Sequence, residues 1–120
     1  MEKMKKNIMK SLEELNIKKL KYDESTIGTG LVGAINVSYS NLVKLLGEPN
    51  GGGDEYKIDA EWEFKMNGKV MTIYNYKTGK NYNGNSGLAT SRIRDWHVGA
   101  QEDVTEEIKI LAAELKGTVC

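Results

Sequence analysis

Residues 60–76 read AEWEFKMNGKVMTIYNY, and the pair Asn67-Gly68 in the middle of this stretch decides the fold. Asn-Gly is the preferred pair for a two-residue type I′ hairpin turn, in which both central residues take a positive φ. The flanking residues alternate with the period of a strand. The turn therefore fixes the register, setting Met66 opposite Lys69, Phe64 opposite Met71 and Trp62 opposite Ile73. One face then carries Ala60, Trp62, Phe64, Met66, Met71 and Ile73, which places it in the core. The other face pairs Lys65 with Val70, Glu63 with Thr72, Glu61 with Tyr74 and Asp59 with Tyr76, a mixture of charges and aromatic rings.

Downstream of the hairpin, Thr78–Ser91 is rich in Gly, Asn and Ser and reads as a long loop. Ile93–Val98 alternates as a strand with Trp96 and Val98 on one side. Asp103 followed by Glu106 has the spacing of a capping box, and Val104, Ile108, Leu111 and Leu115 form a helical stripe ended by Gly117. Ile110 and Ala113 widen that stripe beyond what a sheet alone would cover.

Upstream, Ser38 or Ser40 caps a short helix carrying Leu42, Leu45 and Leu46, which Gly47 and Pro49 end. A Gly-rich loop, Asn50–Gly53, follows it. Residues 27–36 read as a strand with Ile27, Leu31 and Ile35 on one face. Gly28, Gly30, Val32 and Ala34 occupy the other, where a close approach is expected. Lys18–Tyr22 is a short, weak strand signal, and Met4, Ile8, Leu12 and Leu15 mark an amphipathic helix over residues 2–16, stopped at Asn16. The fold class is α+β: one domain over 1–120, an antiparallel sheet with an N-terminal, a short central and a C-terminal helix packed on it. Within it, residues 1–24 form a basic helix and connector, 25–116 the core and 117–120 a tail.

Composition narrows the function classes. The chain has 120 residues, 39% of them hydrophobic and 28% charged, with 17 Lys+Arg against 17 Asp+Glu. That balance fits a globular domain and removes the basic excess on which binding to long nucleic acids depends. No apolar run is long enough to span a membrane, and the basic start has no apolar stretch of a signal peptide behind it. A cytoplasmic location is the expectation, with no membrane partner. Cys120 is the single cysteine, which excludes an internal disulfide and a cysteine metal cage. Residues 1–21 carry seven Lys against three Glu, and residues 101–116 five acids against two Lys. Ends of opposite charge attract one another, within a chain or between two.

The chemical motifs are weighed by their context. Gly28, Gly30 and Gly33 match the spacing of a dinucleotide fingerprint, but that motif needs a strand before it and a helix opening within it. Here the glycines lie inside a strand. His97 is the only histidine, with Asp95 two residues away, and no Ser or Thr nearby forms a nucleophile elbow. Glu61 and Glu63 share a strand face, where salt bridging is the expected role. No catalytic residue, metal site or cofactor follows from these patterns. The densest constellation is Tyr74, Asn75, Tyr76 and Lys77, then Asn81, Tyr82 and Asn83, then Arg92 and Arg94. Tyr rings can stack a base, Asn amides can read its edge, and Lys or Arg can hold phosphates.

As a set, SYSNLVKLLGEP at 38–49, YKIDAEW at 56–62, IYNYK at 73–77 and DWH at 95–97 resemble the Thoeris anti-defence family, small phage-encoded proteins. The resemblance covers about residues 25–116. It implies a sponge that sequesters the cyclic ADP-ribose signal of bacterial TIR enzymes without cleaving it. It also implies a homo-oligomer with ligand pockets at a subunit interface, acting in the host cytoplasm. On that expectation Tyr74 or Tyr76 stacks adenine, Asn75, Asn81 and Asn83 bond base or ribose, and Tyr82 lies in the same loop. Lys77, Arg92 and Arg94 neutralise the pyrophosphate, and loop 78–91 closes over the ligand. The alternative is a protein–protein inhibitor of a defence effector such as a CRISPR complex. An enzyme acting on nucleotides comes last, since only His97 suits neutral-pH base chemistry.

Overall fold

Asn67 and Gly68 take φ of +55° and +78°, as a type I′ turn demands, and the hairpin built on them has the expected register from Glu61↔Tyr74 to Met66↔Lys69. The computed structural model describes residues 10–21, 24–51 and 56–120. In chain order its elements are β1 (Ile17–Lys18), β2 (Gly30–Asn36), α1 (Tyr39–Leu46), β3 (Glu61–Met66), β4 (Lys69–Tyr74), α2 (Lys80–Asn83), β5 (Asp95–Ala100), α3 (Thr105–Glu114) and β6 (Thr118–Val119). Two 3₁₀ turns, Gly84–Ser86 and Thr90–Arg92, follow α2. The six strands form one sheet in the order β1-β3-β4-β5-β2-β6, antiparallel throughout, so the class is α+β.

The helices α1 and α3 cover one face of this sheet. Trp62, Phe64, Met66, Met71, Ile73, Trp96, Val98 and Ile35 point into that layer and are buried with Leu42, Leu45, Ile108, Leu111 and Leu115. Trp62 and Trp96 meet edge to face at 5.3 Å, and Tyr39 of α1 lies against both. Each indole N–H is matched: Trp62 Nε1 donates to the Gly47 carbonyl at 2.8 Å and Trp96 Nε1 to the Val37 carbonyl at 3.1 Å. Ser38 caps α1, its hydroxyl accepting from the Asn41 N–H, and Gly47 at φ +83° ends it.

Several expectations need correction. Residues 1–9 of the expected N-terminal helix lie outside the described residues. Over 12–16 the chain makes only turns, closing at Asn16 with φ +55°. The first strand is Ile17–Lys18, earlier than the expected 18–22, because Ile17 and Leu15 are drawn into the core. Residues 117–120 are no tail: Thr118–Val119 pairs with β2, and the Cys120 N–H donates to the Ala34 carbonyl at 2.9 Å. Gly117 makes this entry feasible, since a Cβ there would sit 2.2 Å from the Asn36 carbonyl oxygen.

In β2 a bulge between Leu31 and Gly33 switches faces. Ile35 therefore stays in the core while Ile27 and Leu31 are exposed. The close approach does occur, but at Gly33, whose Cβ position lies 2.8 Å from Ile108 Cδ1 of α3. The start of α3 is an Asx turn and not a capping box: Asp103 Oδ1 accepts from Thr105 N–H at 2.9 Å and Oγ1 at 2.6 Å. Glu106 is instead exposed, 3.7 Å from Lys109. The backbone N–H of Lys10 donates to the Glu114 carboxylate, so the two charged ends meet at this point within one chain.

The opposite face of the sheet is only half covered. Residues 24–29 cross it as a strap, fixed by the ion pair of Glu24 with Lys65, by Thr26 Oγ1 donating to Glu63 at 3.2 Å, and by Gln101 Nε2 donating to the Ile27 carbonyl at 2.7 Å. Thr72 and Gly99 are buried beneath it. Beyond the strap, toward the ends of β4 and β5 that meet at Tyr74 and His97, the face is part-exposed among the described residues.

Candidate functional site

Tyr74 ends β4 directly opposite His97 of β5, so both side chains stand on the part-exposed half of the outer face. Their rings meet edge to face at 5.6 Å. Burial raises the pKa of the Tyr74 hydroxyl above its ordinary value, and the charges of Glu61 and Tyr76 push the same way.

The next residue turns inward. Asn75 is fully buried; its Oδ1 accepts from the N–H groups of Asp59 at 2.7 Å and Ala60 at 3.0 Å. Its Nδ2 donates to Asp59 Oδ1 at 2.9 Å and Thr78 Oγ1 at 3.3 Å. A side-chain amide thus takes over where the hairpin ladder stops, short of the expected Asp59–Tyr76 pair. Asn75 is a staple of the fold and not a ligand contact, because its donors and acceptor are already engaged.

Tyr76 swings back to the outer face and stacks on His97, with the ring centres 5.7 Å apart and the planes 25° from parallel. Lys77 then takes φ +62°, its N–H donating to the Lys57 carbonyl at 2.9 Å. The Lys77 ammonium lies 5.2 Å from the centre of the Tyr76 ring and 5.2 Å from that of Tyr82. Lys57 Nζ lies 6.0 Å from the Tyr76 ring centre, and Tyr56 meets Tyr82 at 5.4 Å. Four tyrosines, one histidine and two lysines therefore form one continuous surface.

The loop that carries Tyr82 is fastened down. Asp59 Oδ2 accepts from the Asn81 N–H at 3.1 Å, Asn81 Nδ2 donates to the Ile58 carbonyl at 3.0 Å, and Asn83 Nδ2 donates to the Lys77 carbonyl at 2.8 Å. Thr78 and Leu88 join through their backbones at 3.1 Å. Gly79 has to be glycine for this: a Cβ there would stand 2.1 Å from Asp59 Oδ1. The expected closing lid is thus a pinned shelf, with Asn81 and Asn83 spending their amides on holding it. Such a shelf presents Tyr82 in a fixed place and leaves little ordering entropy to lose on binding.

The structure brings Tyr74, Tyr76, Lys77 and Tyr82 together and does not bring the arginines to them. Arg94 Nε donates to Asn36 Oδ1 at 3.2 Å, and Arg92 is exposed on a turn that packs beside α1. The cations on the tyrosine rings are Lys57 and Lys77. Sequence reading missed Tyr56, Lys57 and His97 as members of the site. Carrying the hairpin register two steps past Asp59 would have found Lys57. His97 needed the adjacency of β4 and β5, which no local pattern encodes. Asp95 is held by Asn36 Nδ2 at 3.0 Å, and the partners of His97 are the two tyrosine rings.

A groove of about 220 Å³ opens elsewhere, between the end of α1 and the β1–β3 edge, with Leu12, Leu46, Trp62 and Phe64 among its walls. It contains none of the residues expected from sequence to bind a ligand, and its apolar walls are core side chains reaching the surface. The tyrosine surface is the better site because it joins flat rings to cations that lie against them. Among the described residues no helix is long and apolar enough to cross a membrane. No protein-family model matches the chain, and neither the curated proteins nor the solved structures contain a significant match.

Proposed function

We propose that this protein binds a nucleotide on the tyrosine surface and sequesters it without chemistry, as a phage anti-defence sponge for a cyclic ADP-ribose isomer in the host cytoplasm. The observation that carries the binding reading is the Tyr76 ring, backed by His97 and flanked by the Lys57 and Lys77 ammonium groups. A flat ring with two cations beside it suits a base joined to phosphates. Tyr76 or Tyr82 stacks the adenine, the two lysines take the pyrophosphate role first expected of Arg92 and Arg94, and the Tyr74 hydroxyl donates to the ligand. The likeness to Thoeris anti-defence proteins selects the cyclic ADP-ribose class and the suppression of TIR-dependent immunity.

The test is thermal stability with and without cyclic ADP-ribose isomers, NAD and ADP-ribose. A ligand at about 1,000 times its dissociation constant stabilises the native state by roughly 4 kcal/mol, which for a domain of this size is a shift of about 10 °C or more. One isomer should give that shift and be recovered intact after denaturation. No shift with any of them overturns the reading. The exposed Ile27, Leu31 and Val32 favour the rival class, an inhibitor that docks on a protein of the defence machinery or on its own copy. That rival predicts a co-purifying host protein and no response to nucleotides.

A further inference from the structure

The position of Lys77 says more about the ligand. Its ammonium lies 5.2 Å from the ring centres of both Tyr76 and Tyr82. Those two rings therefore cannot stand further apart than about twice that distance, with one cation between them. Each ring also has its own support: Tyr76 stacks on His97, and Tyr82 meets Tyr56. Both are part-exposed, at 38% each. Their spacing is fixed from below, since Asp59 and Asn75 tie the end of the hairpin to the shelf that carries Tyr82. Two supported aromatic platforms with a positive charge equidistant from both match a ligand that has two planar groups joined through a negative charge.

We propose that the surface is a two-platform site for a dinucleotide unit, with one base on Tyr76, the second on Tyr82 and the linking phosphodiester on Lys77. This rests on the nucleotide reading of the same surface and goes beyond cyclic ADP-ribose, a one-base ligand that would use a single platform, by adding a two-base ligand class. In the unliganded protein the lysine lies against the ring faces. An incoming base takes its place there, and the ammonium moves by rotation of its own side chain onto the phosphate. The exchange replaces a weak cation–π contact at an exposed site with a base stack and an ion pair, so it runs toward the complex. A one-base ligand uses one platform and leaves the other idle.

The experiment is calorimetric titration of the full chain with adenosine monophosphate, with the dinucleoside monophosphate ApA and with an adenosine hexanucleotide. Stacking of the second base on an aromatic side chain is expected to make ApA bind about tenfold more tightly than the mononucleotide. Tyr82→Ala should collapse that ratio to about two, the statistical advantage of two equivalent bases. Tyr82→Phe, which keeps the ring, should restore it. The hexanucleotide separates the two sources of such a unit: it offers five overlapping steps, so a gain of about fivefold over ApA is statistical and identifies a free dinucleotide, and a much steeper gain identifies a step within a strand. Equal affinity of ApA and the mononucleotide in the unaltered protein overturns the two-platform site while leaving the nucleotide reading in place. Absence of heat with all three, and with cyclic ADP-ribose, overturns both.

Discussion

The two faces of β3, β4 and β5 alternate residue by residue along the same strands and meet opposite fates. Toward the helices stand Trp62, Phe64, Met71, Ile73, Trp96 and Val98, all buried, in contact with one another and with α1 and α3. Toward the other side stand Glu61, Glu63, Thr72, Tyr74, His97 and Gly99, covered by the strap at one end and part-exposed at the other. The first face is over-determined, since each apolar group supports its neighbours and any slip of register would expose all of them. The second face has no such constraint. It is free to carry rings and charges whose arrangement follows from contacts outside the strands.

That difference predicts where substitution unfolds the chain and where it disables binding. Trp96 is fully buried between Trp62 and Tyr39, and its indole N–H donates to the Val37 carbonyl. Trp96→Ala leaves a large cavity and an unpaired carbonyl, and should lower stability by about 3–5 kcal/mol. Urea unfolding followed by circular dichroism measures this. A loss below about 1 kcal/mol would mean that the helical layer is not the core.

The boundary between the faces is set by Asn75, and its loss is the next largest effect. Asn75→Ala would strand the N–H groups of Asp59 and Ala60, which now share its Oδ1, and should cost about 3 kcal/mol. Because the same amide ties down Asp59, and Asp59 holds the Asn81 N–H, shelf and hairpin end should loosen together. Hydrogen exchange at residues 77–88 should rise in this variant more than exchange in β3 does.

The core face was legible because two local signals agreed: an Asn-Gly turn that fixes register and a period-two pattern that fixes side. The helix stripes of α1 and α3 were readable for the same reason. The bulge in β2 was not, because an extra residue leaves no mark in an alternation already blurred by three glycines. Nor was β6, whose two residues are a strand only because β2 offers them an edge. At the site the tyrosines and Lys77 were readable as residue types. Their roles were not, because Asn75, Asn81 and Asn83 look like ligand contacts until their amides are seen bonded to backbone. The arginines failed for a related reason: they were grouped with the tyrosines as phosphate-binding cations, but Arg94 Nε donates to Asn36 Oδ1 and Arg92 lies on a turn beside α1.

A weaker contact ties the core side to the hairpin tip. Glu107 of α3 accepts from Asn67 Nδ2 at 2.9 Å and pairs with Lys69 at 3.3 Å. The Asn67 hydrogen bond holds its carboxyl below the ordinary value, against the opposing effect of burial. A group lowered on folding stabilises above its unfolded pKa, near 4.5, and loses that contribution as pH falls through the folded value. Glu107→Gln should therefore cost no more than about 1 kcal/mol at pH 7, the interaction being partly screened. The difference from the unaltered protein should vanish in acid. A difference that persists at full acid protonation of the carboxyl would show that the side chain acts by packing.

The smallest effect on stability should come from the residue on which binding most depends. Tyr76 is more than a third exposed, and its contacts are one ring face on His97 and two lysine ammonium groups. Nothing in the core rests on it, so Tyr76→Ala should change unfolding free energy by less than about 0.5 kcal/mol. Loss of the platform should nonetheless weaken nucleotide binding by about tenfold or more, the usual contribution of one stacked base. Tyr76→Phe keeps the ring and should retain most of the affinity. Together with Trp96→Ala this sharpens the contrast between the faces, since two aromatic substitutions, one in β5 and one just past the end of β4, would separate stability from binding. If Tyr76→Ala instead destabilised the chain as Trp96→Ala does, the outer face would be a second core, and the part-exposed surface would owe its rings to folding.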